Sequence, residues 1–190
     1  MDKSPLRQRL LECAEDILEK QGLDALSLRS VARAAGVSEA APYGHFSGKP
    51  GLLAAVAGRG FTALGDRLGD RDVRTGDAQA RLIVMGRAYV EFAIARPAMF
   101  GLMFGAAGAL DRTAQAYRSS SEDAFTRLRE AASACAGLPA DSAAGYHAAI
   151  TAWSAVHGLA VLILDDRLSG DRDEMIDAVT RATAQAICRR

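Results

Sequence analysis

The stretch Ser27-Leu28-Arg29-Ser30-Val31-Ala32-Arg33-Ala34-Ala35-Gly36-Val37-Ser38-Glu39-Ala40-Ala41-Pro42-Tyr43-Gly44-His45-Phe46-Ser47-Gly48-Lys49 decides the fold. It reads as two short helices joined by a tight turn. Ser27 is a good N-cap, with Leu26 and Val31 at the positions of a hydrophobic staple. Leu28, Val31, Ala32 and Ala35 share one helical face. Gly36 ends that helix because glycine takes a left-handed backbone cheaply. Val37 plugs the angle between the helices, and Ser38 is expected to cap the second one. That second helix, over about 38–46, is very short, so its outer face is free to meet something else. A unit of this kind can place a helix in the major groove of DNA.

Working outward, the 190 residues suffice for one or two domains with a real core. The chain is 49% hydrophobic but only 6% aromatic, an aliphatic, alanine-rich composition that favours packed helices over sheets. Net charge is zero. Residues 1–60 hold eight Lys/Arg against seven Asp/Glu, a balance of +1. Any affinity for DNA must therefore come from local placement of cations and from doubling the site in a dimer. The three cysteines, Cys13, Cys135 and Cys188, are far apart and odd in number, which points to free thiols in a reducing compartment. No signal peptide and no membrane-spanning run is expected, and the protein reads as soluble and cytoplasmic.

Helical periodicity runs the length of the chain. Ser4-Pro5 opens a first helix that Gly22 closes, and the two short helices follow. A fourth begins at Lys49-Pro50-Gly51 and carries Leu52, Leu53, Val56, Phe61 and Leu64. Gly58, Gly60 and Gly65 weaken it, each by about 1 kcal/mol relative to Ala, and motivate a bending lever. A polar stretch at 73–77 is the boundary candidate, dividing a domain at 1–60 from one at 61–190. A fifth helix is expected over 78–95, broken by Arg96-Pro97, and a sixth over 98–105. The stretch 105–109 is small and flexible in composition. Helices follow over about 111–136, 141–164 and 171–188, with a turn at Gly137-Leu138-Pro139. The fold class is all-α with nine helices, and no strand pattern, repeat or low-complexity segment is visible.

Three features together resemble the TetR family of transcriptional regulators. They are Ser27-Leu28-Arg29-Ser30-Val31-Ala32; Ala35-Gly36-Val37-Ser38; and Tyr43-Gly44-His45-Phe46 with Lys49 and Leu52-Leu53. Length and helix count agree with it. A second likeness, over 93–105 and in Ala152-Trp153-Ser154-Ala155-Val156-His157-Gly158, is to the TetR subgroup named for its Trp-His-Gly region. The resemblance implies that the third helix reads the major groove, with Ser38 opening it and Glu39, Ala40 and Ala41 facing base edges. It implies that Tyr43, His45 and Lys49 hold phosphates, as do Ser27 and Arg29. The chemistry suits this: hydroxyls, cations and helix N-termini bind phosphate oxygens, alanine methyls meet thymine methyls, and a carboxylate accepts from a cytosine amine. The chain departs from the family where Pro42 replaces Leu or Ile, Gly44 replaces a bulkier residue, and Pro50-Gly51 replaces helix formers. Taken singly, Phe46 reads as core, His45 as a structural histidine and Lys49 as a solvated charge.

Met85, Tyr89, Phe92, Met99, Phe100, Met103, Phe104, Tyr117 and Phe125 form a Met and aromatic set that is ordinary core in most helical proteins. With the resemblance it becomes a candidate pocket for a small apolar or amphipathic effector. Trp153 and His157 lie four residues apart on one helical face, either as a buried aromatic with a satisfied histidine or as a polar anchor on the pocket wall. The last two helices, about 141–188, are apolar over more than one face, which calls for a homodimer, as the family also implies. No nucleophile elbow, phosphate loop or metal-ligand spacing is present, and His147 and His157 point about 80° apart on a helix. No enzyme, cofactor or metal is expected. The implied partner is a double-stranded, near-palindromic DNA operator, with the protein a ligand-released repressor. The rival reading is an all-α small-molecule-binding module or scaffold without DNA activity.

Overall fold

A computed structural model describes residues 4–69, 77–105 and 110–188. The expected polar boundary at 73–77, apart from Asp77, and most of the small stretch 105–109 lie outside the described residues. The described chain is helical, with eight α-helices and one 3-10 turn. They are α1 Pro5–Gln21, α2 Leu28–Ala34, the 3-10 turn Ala41–Gly44, α3 Gly48–Leu68, α4 Ala78–Ala95, α5 Pro97–Phe104, α6 Gln115–Ala136, α7 Ala143–Leu164 and α8 Arg172–Cys188. They fall into two compact units, Met1–Thr62 with Arg96–Ser121, and Ala63–Ala95 with Glu122–Arg190; the division falls within α3 and α6.

In the first unit α1 starts where Ser4 Oγ accepts the Arg7 N–H at 3.2 Å and Pro5 supplies a preset φ. It ends at Gly22, whose φ of 82° suits glycine alone. Leu10, Leu11, Ala14, Ile17 and Leu18 form its buried stripe. Full burial of a leucine such as Leu10 or Leu18 stabilises by about 1.5–3 kcal/mol. A half-buried charge network ties α1 to α3 and to the residue that opens α5. Glu15 pairs with Arg59 and, at 3.4 Å, with Arg96, while Glu19 pairs with Arg96 at 2.9 Å.

The glycines of α3 have a packing role. A Cβ on Gly60 would stand 2.7 Å from the sulfurs of both Met99 and Met103, and one on Gly58 would stand 2.8 Å from the Ala116 carbonyl oxygen. The missing side chains let α3 approach α5 and the start of α6. Phe61 of α3 meets Phe104 and Tyr117 edge to face at 5.3 and 5.4 Å.

In the second unit α4 is capped by Asp77, α7 by Ser142 and α8 by Asp171, each side chain accepting a first-turn N–H. Leu82, Met85, Tyr89, Val90, Phe92 and Ala93 of α4 are buried, as are Ile176, Thr180, Ala184 and Ile187 of α8. Gly86 allows the close approach, since a Cβ there would lie 2.9 Å from Thr180 and 3.2 Å from Val156. On the rim, Arg87 of α4 pairs with Asp173 and Asp177 of α8.

One expectation needs correction. Cys135 and Cys188 are not free thiols: they form a disulfide with Cα atoms 5.0 Å apart, leaving Cys13 free. The C-terminal ends of α6 and α8 converge, which spacing of 53 residues in sequence does not reveal. Among the described residues, α7 (22 residues) reaches a mean hydropathy of 1.6 over an 18-residue window and passes by length and composition alone as a possible membrane span. The core helix of a folded bundle has the same character, and Ala149, Ala152, Val156, Leu159, Ala160 and Ile163 form its buried stripe.

Candidate functional site

The helix-turn-helix is built in three steps. At its start Ser27 and Ser30 make a reciprocal cap: Ser27 Oγ accepts the Ser30 N–H at 3.1 Å, and Ser30 Oγ accepts the Ser27 N–H at 2.9 Å. At the turn, Gly36 takes a φ of 65°. The Val37 N–H reaches the Ala32 carbonyl at 3.0 Å and the Gly36 N–H the Arg33 carbonyl at 3.1 Å, a Schellman closure that satisfies the last carbonyls of α2.

The third step differs from expectation. No α-helix capped by Ser38 forms over 38–46. The Ala41 N–H bonds the Ser38 carbonyl at 3.0 Å, the residues Ala41–Gly44 form a 3-10 turn, and no side chain caps it. Pro42 is the cause. An α-helix opened by Ser38 needs an N–H at position 42 to reach the Ser38 carbonyl, and proline has none, so the backbone takes the three-residue pattern. His45 and Phe46 then both donate to the Pro42 carbonyl at 3.0 Å.

This turn is anchored from below and open above. Pro42 and Phe46 are buried, and the Arg7 guanidinium sits 5.4 Å from the Phe46 ring centre, a cation–π contact. Ser38, Glu39, Ala40, Lys49 and Arg29 are exposed, and Tyr43 is 59% exposed. Ser27, Ala41 and His45 are half-buried. All nine expected DNA-contacting residues thus lie in the first unit, and all keep some exposed surface. Arg29 and Glu39 carry a relationship that sequence reading missed: their side chains form an ion pair.

The expected effector residues divide. Phe100, Met103, Phe104 and Tyr117 belong to the first unit, where Tyr117 donates to the Met103 carbonyl at 3.4 Å. Met85, Tyr89, Phe92, Phe125, Trp153 and His157 belong to the second. There the Trp153 N–H donates to the Tyr89 oxygen at 3.1 Å, and the Tyr89 hydroxyl lies 2.8 Å from His157 Nδ1. Burial raises the Tyr89 pKa against a smaller opposing effect of Trp153, and burial lowers that of His157, so both groups are neutral at pH 7. The Phe125 ring lies 5.9 Å from Trp153. Beside Tyr89 is a cavity of about 20 Å³ lined by Leu82, Met85, Leu128, Val156 and Thr180 among others, room for about one water. Thr180 was not expected there; its place on the inward stripe of α8 was the available signal.

Two family descriptions match the chain. "Bacterial regulatory proteins, tetR family" covers residues 10–56, and "Tetracyclin repressor-like, C-terminal domain" covers residues 82–183. The chain belongs to the tetR family. A solved protein of unknown function from Rhodococcus sp. RHA1 is 34% identical, with a TM-score of 0.77 over 98% of this chain and 95% of that one. A TetR-family transcriptional regulator from Streptomyces coelicolor shares the fold at 24% identity, with a TM-score of 0.67 over 97% of this chain and 98% of that one. The uncharacterized HTH-type transcriptional regulator YobS of Bacillus subtilis (strain 168) is 28% identical over 95 residues. That match spans half of this chain and 49% of the relative. TetR regulators are DNA-binding proteins and not enzymes, and this all-helical member carries the family's helix-turn-helix at its N-terminal end.

Proposed function

We propose that this TetR-family member is a cytoplasmic, ligand-released repressor that binds a near-palindromic operator as a homodimer. The observation that carries the reading is the exposed tip: Glu39, Ala40, Tyr43 and Lys49 face solvent while Pro42 and Phe46 hold the turn from beneath. Residues 1–60 act as the DNA-binding domain and 61–190 as the effector and dimerisation domain. Two tips set about 34–36 Å apart reach successive major grooves. Lys49, Tyr43, His45, Ser27 and Arg29 supply phosphate contacts, which position the protein, while residues 38–41 meet base edges.

Dimerisation through α7 and α8 is supported by the apolar side chains left in solvent on α7: Tyr146, Val161 and Leu162, exposed by 47%, 37% and 42%. A two-fold axis through this face covers it with its own copy. For the effector, the second-unit group of Met85, Tyr89, Phe92, Phe125, Trp153 and His157 offers apolar walls and one polar triad. Ligand pockets for drug-sized molecules occupy about 300–1,000 Å³, so an effector must part α4 from α7 and α8. That displacement is the work available to drive release, a bias of a few kcal/mol.

The test is a salt-titrated binding measurement on operator selected from random DNA. Lys49→Ala is expected to weaken binding to all sequences and to reduce the salt slope by about one unit. Absence of sequence-preferring binding by the wild-type protein at about 0.1 M salt overturns the reading in favour of a helical binding module.

A further inference from the structure

We propose that Cys135 and Cys188 are an oxidant-responsive thiol pair, with an organic hydroperoxide or hydrogen peroxide as the reacting class. The observation is geometric. Cys135 stands at the end of α6 and Cys188 is the last residue of α8, with Cα atoms 5.0 Å apart. A disulfide spans about 4.4–6.8 Å between Cα atoms, so the two helices hold the pair within bridging distance.

The structure holds the disulfide, with the Cys135 sulfur 3.9 Å from the Ala184 carbonyl oxygen, one helical turn before Cys188. Cys135 is buried, whereas Cys188 is half-buried and within reach of a small oxidant or a reducing thiol. It lies beside Ile187 on the inward flank of α8, on the side that meets α6. Cys13 lies in the first unit, far in sequence from both, and serves as an internal control.

The order of events follows from access. The Cys188 thiolate attacks one peroxide oxygen, the O–O bond breaks, and the departing alkoxide takes a proton to leave as an alcohol. Cys188 is then a sulfenic acid. Cys135 attacks its sulfur, the S–O bond breaks, and the hydroxide leaves with the Cys135 proton as water. Two electrons pass from the sulfur pair to the peroxide; two thiols and one hydroperoxide give one disulfide, one alcohol and one water. A dithiol reverses it.

The consequence is a ring. Residues 135–188 enclose the whole of α7 and α8, so oxidation ties off the hairpin that bears the exposed apolar face. Cross-linking a loop of 53 residues stabilises chiefly by restricting the unfolded chain.

The full chain is reduced with dithiothreitol, desalted, and divided between buffer and tert-butyl hydroperoxide, without DNA or effector. Thiols are counted with a maleimide mass tag under denaturation, intact mass is recorded, and both samples are melted. The reduced protein is expected to carry three taggable thiols and the oxidised protein one, at Cys13. The mass falls by two hydrogens, the species stays a single chain on a non-reducing gel, and Tm rises by about 10 °C. Dithiothreitol restores all three thiols. Cys13→Ser keeps the response, while Cys135→Ser and Cys188→Ser abolish it. Persistence of three thiols after peroxide, a cross-link between protomers, or an unchanged Tm overturns the proposal. The two wild-type samples decide the matter between them, so the result stands even where a substituted chain fails to fold.

Discussion

Arg29 Nε stands 3.5 Å from Glu39 Oε2, which joins the first turn of α2 to the residue expected to read a base. Both side chains are more than 70% exposed, so the pair contributes little to stability. Its effect falls on the ligand. A carboxylate held beside a phosphate-seeking guanidinium cancels one of few positive charges in a domain whose balance is only +1 over residues 1–60. Glu39→Gln is expected to raise affinity for all DNA sequences, because Arg29 then reaches its phosphate without giving up an ion pair, and to relax the preference at one base pair. A binding titration over salt checks it. Lost preference at a single base pair, without a general gain, would mean that the pair with Arg29 does not compete with the phosphate.

The glycines of α3 and α5 give an ordered series for thermal melts. Replacing glycine by alanine in a helix gains about 1 kcal/mol where nothing obstructs the methyl group. At Gly101 there is open space, so Gly101→Ala is expected to raise Tm by a few degrees. At Gly60 the obstruction is two thioethers, which can swing aside, so Gly60→Ala should cost about 1 kcal/mol net. At Gly58 it is the Ala116 carbonyl, backbone that cannot yield, and Gly58→Ala should cost about 2–3 kcal/mol. The order 101 above 60 above 58 is the content of the prediction. Equal stabilisation at all three positions would mean that these glycines serve bending and not close packing.

What could be read from residues alone follows the range of the forces involved. The bounds of α4 are legible because Asp77 caps it and Pro97 stops it, both within a turn of the ends. The close of α2 is legible because Gly36 is the one residue there that takes a positive φ cheaply. Ser38 misled because its capping role depends on a donor at position 42 that Pro42 lacks, a conflict between two local rules that hydrogen bonding resolves in favour of the 3-10 turn. The Cys135–Cys188 bond and the Arg29–Glu39 pair were invisible for another reason: each needs the path of the chain between its ends. The helical spacing of the Met and aromatic residues is a local property. Which of them share a neighbourhood is set by helix packing, and so Phe100 and Phe125 fall in different units.

The Trp153–Tyr89–His157 chain makes the second unit sensitive to acid. With the Trp153 N–H given to the Tyr89 oxygen, the phenolic proton is directed at His157 Nδ1, which accepts it only while the imidazole is neutral. Burial holds the His157 pKa below its ordinary value of 6.5, so between the two values the unfolded chain binds a proton that the folded chain does not. Stability from this site is therefore fully present above about pH 6.5 and is lost as pH falls through the folded value. Melts from pH 8 to about 5 should show Tm declining below about 6.5, and His157→Gln should flatten that part of the profile. Tyr89→Phe separates the hydrogen bonds from the titration. It leaves the indole N–H without its acceptor, costing about 1–3 kcal/mol at pH 7.5. The acid response should remain, because burial and not the hydrogen bond holds the His157 pKa down. If Tyr89→Phe melts like the wild type at pH 7.5, the hydrogen bonds of the triad hold no weight in the fold, and if His157→Gln keeps the wild-type decline below about 6.5, the acid sensitivity comes from elsewhere.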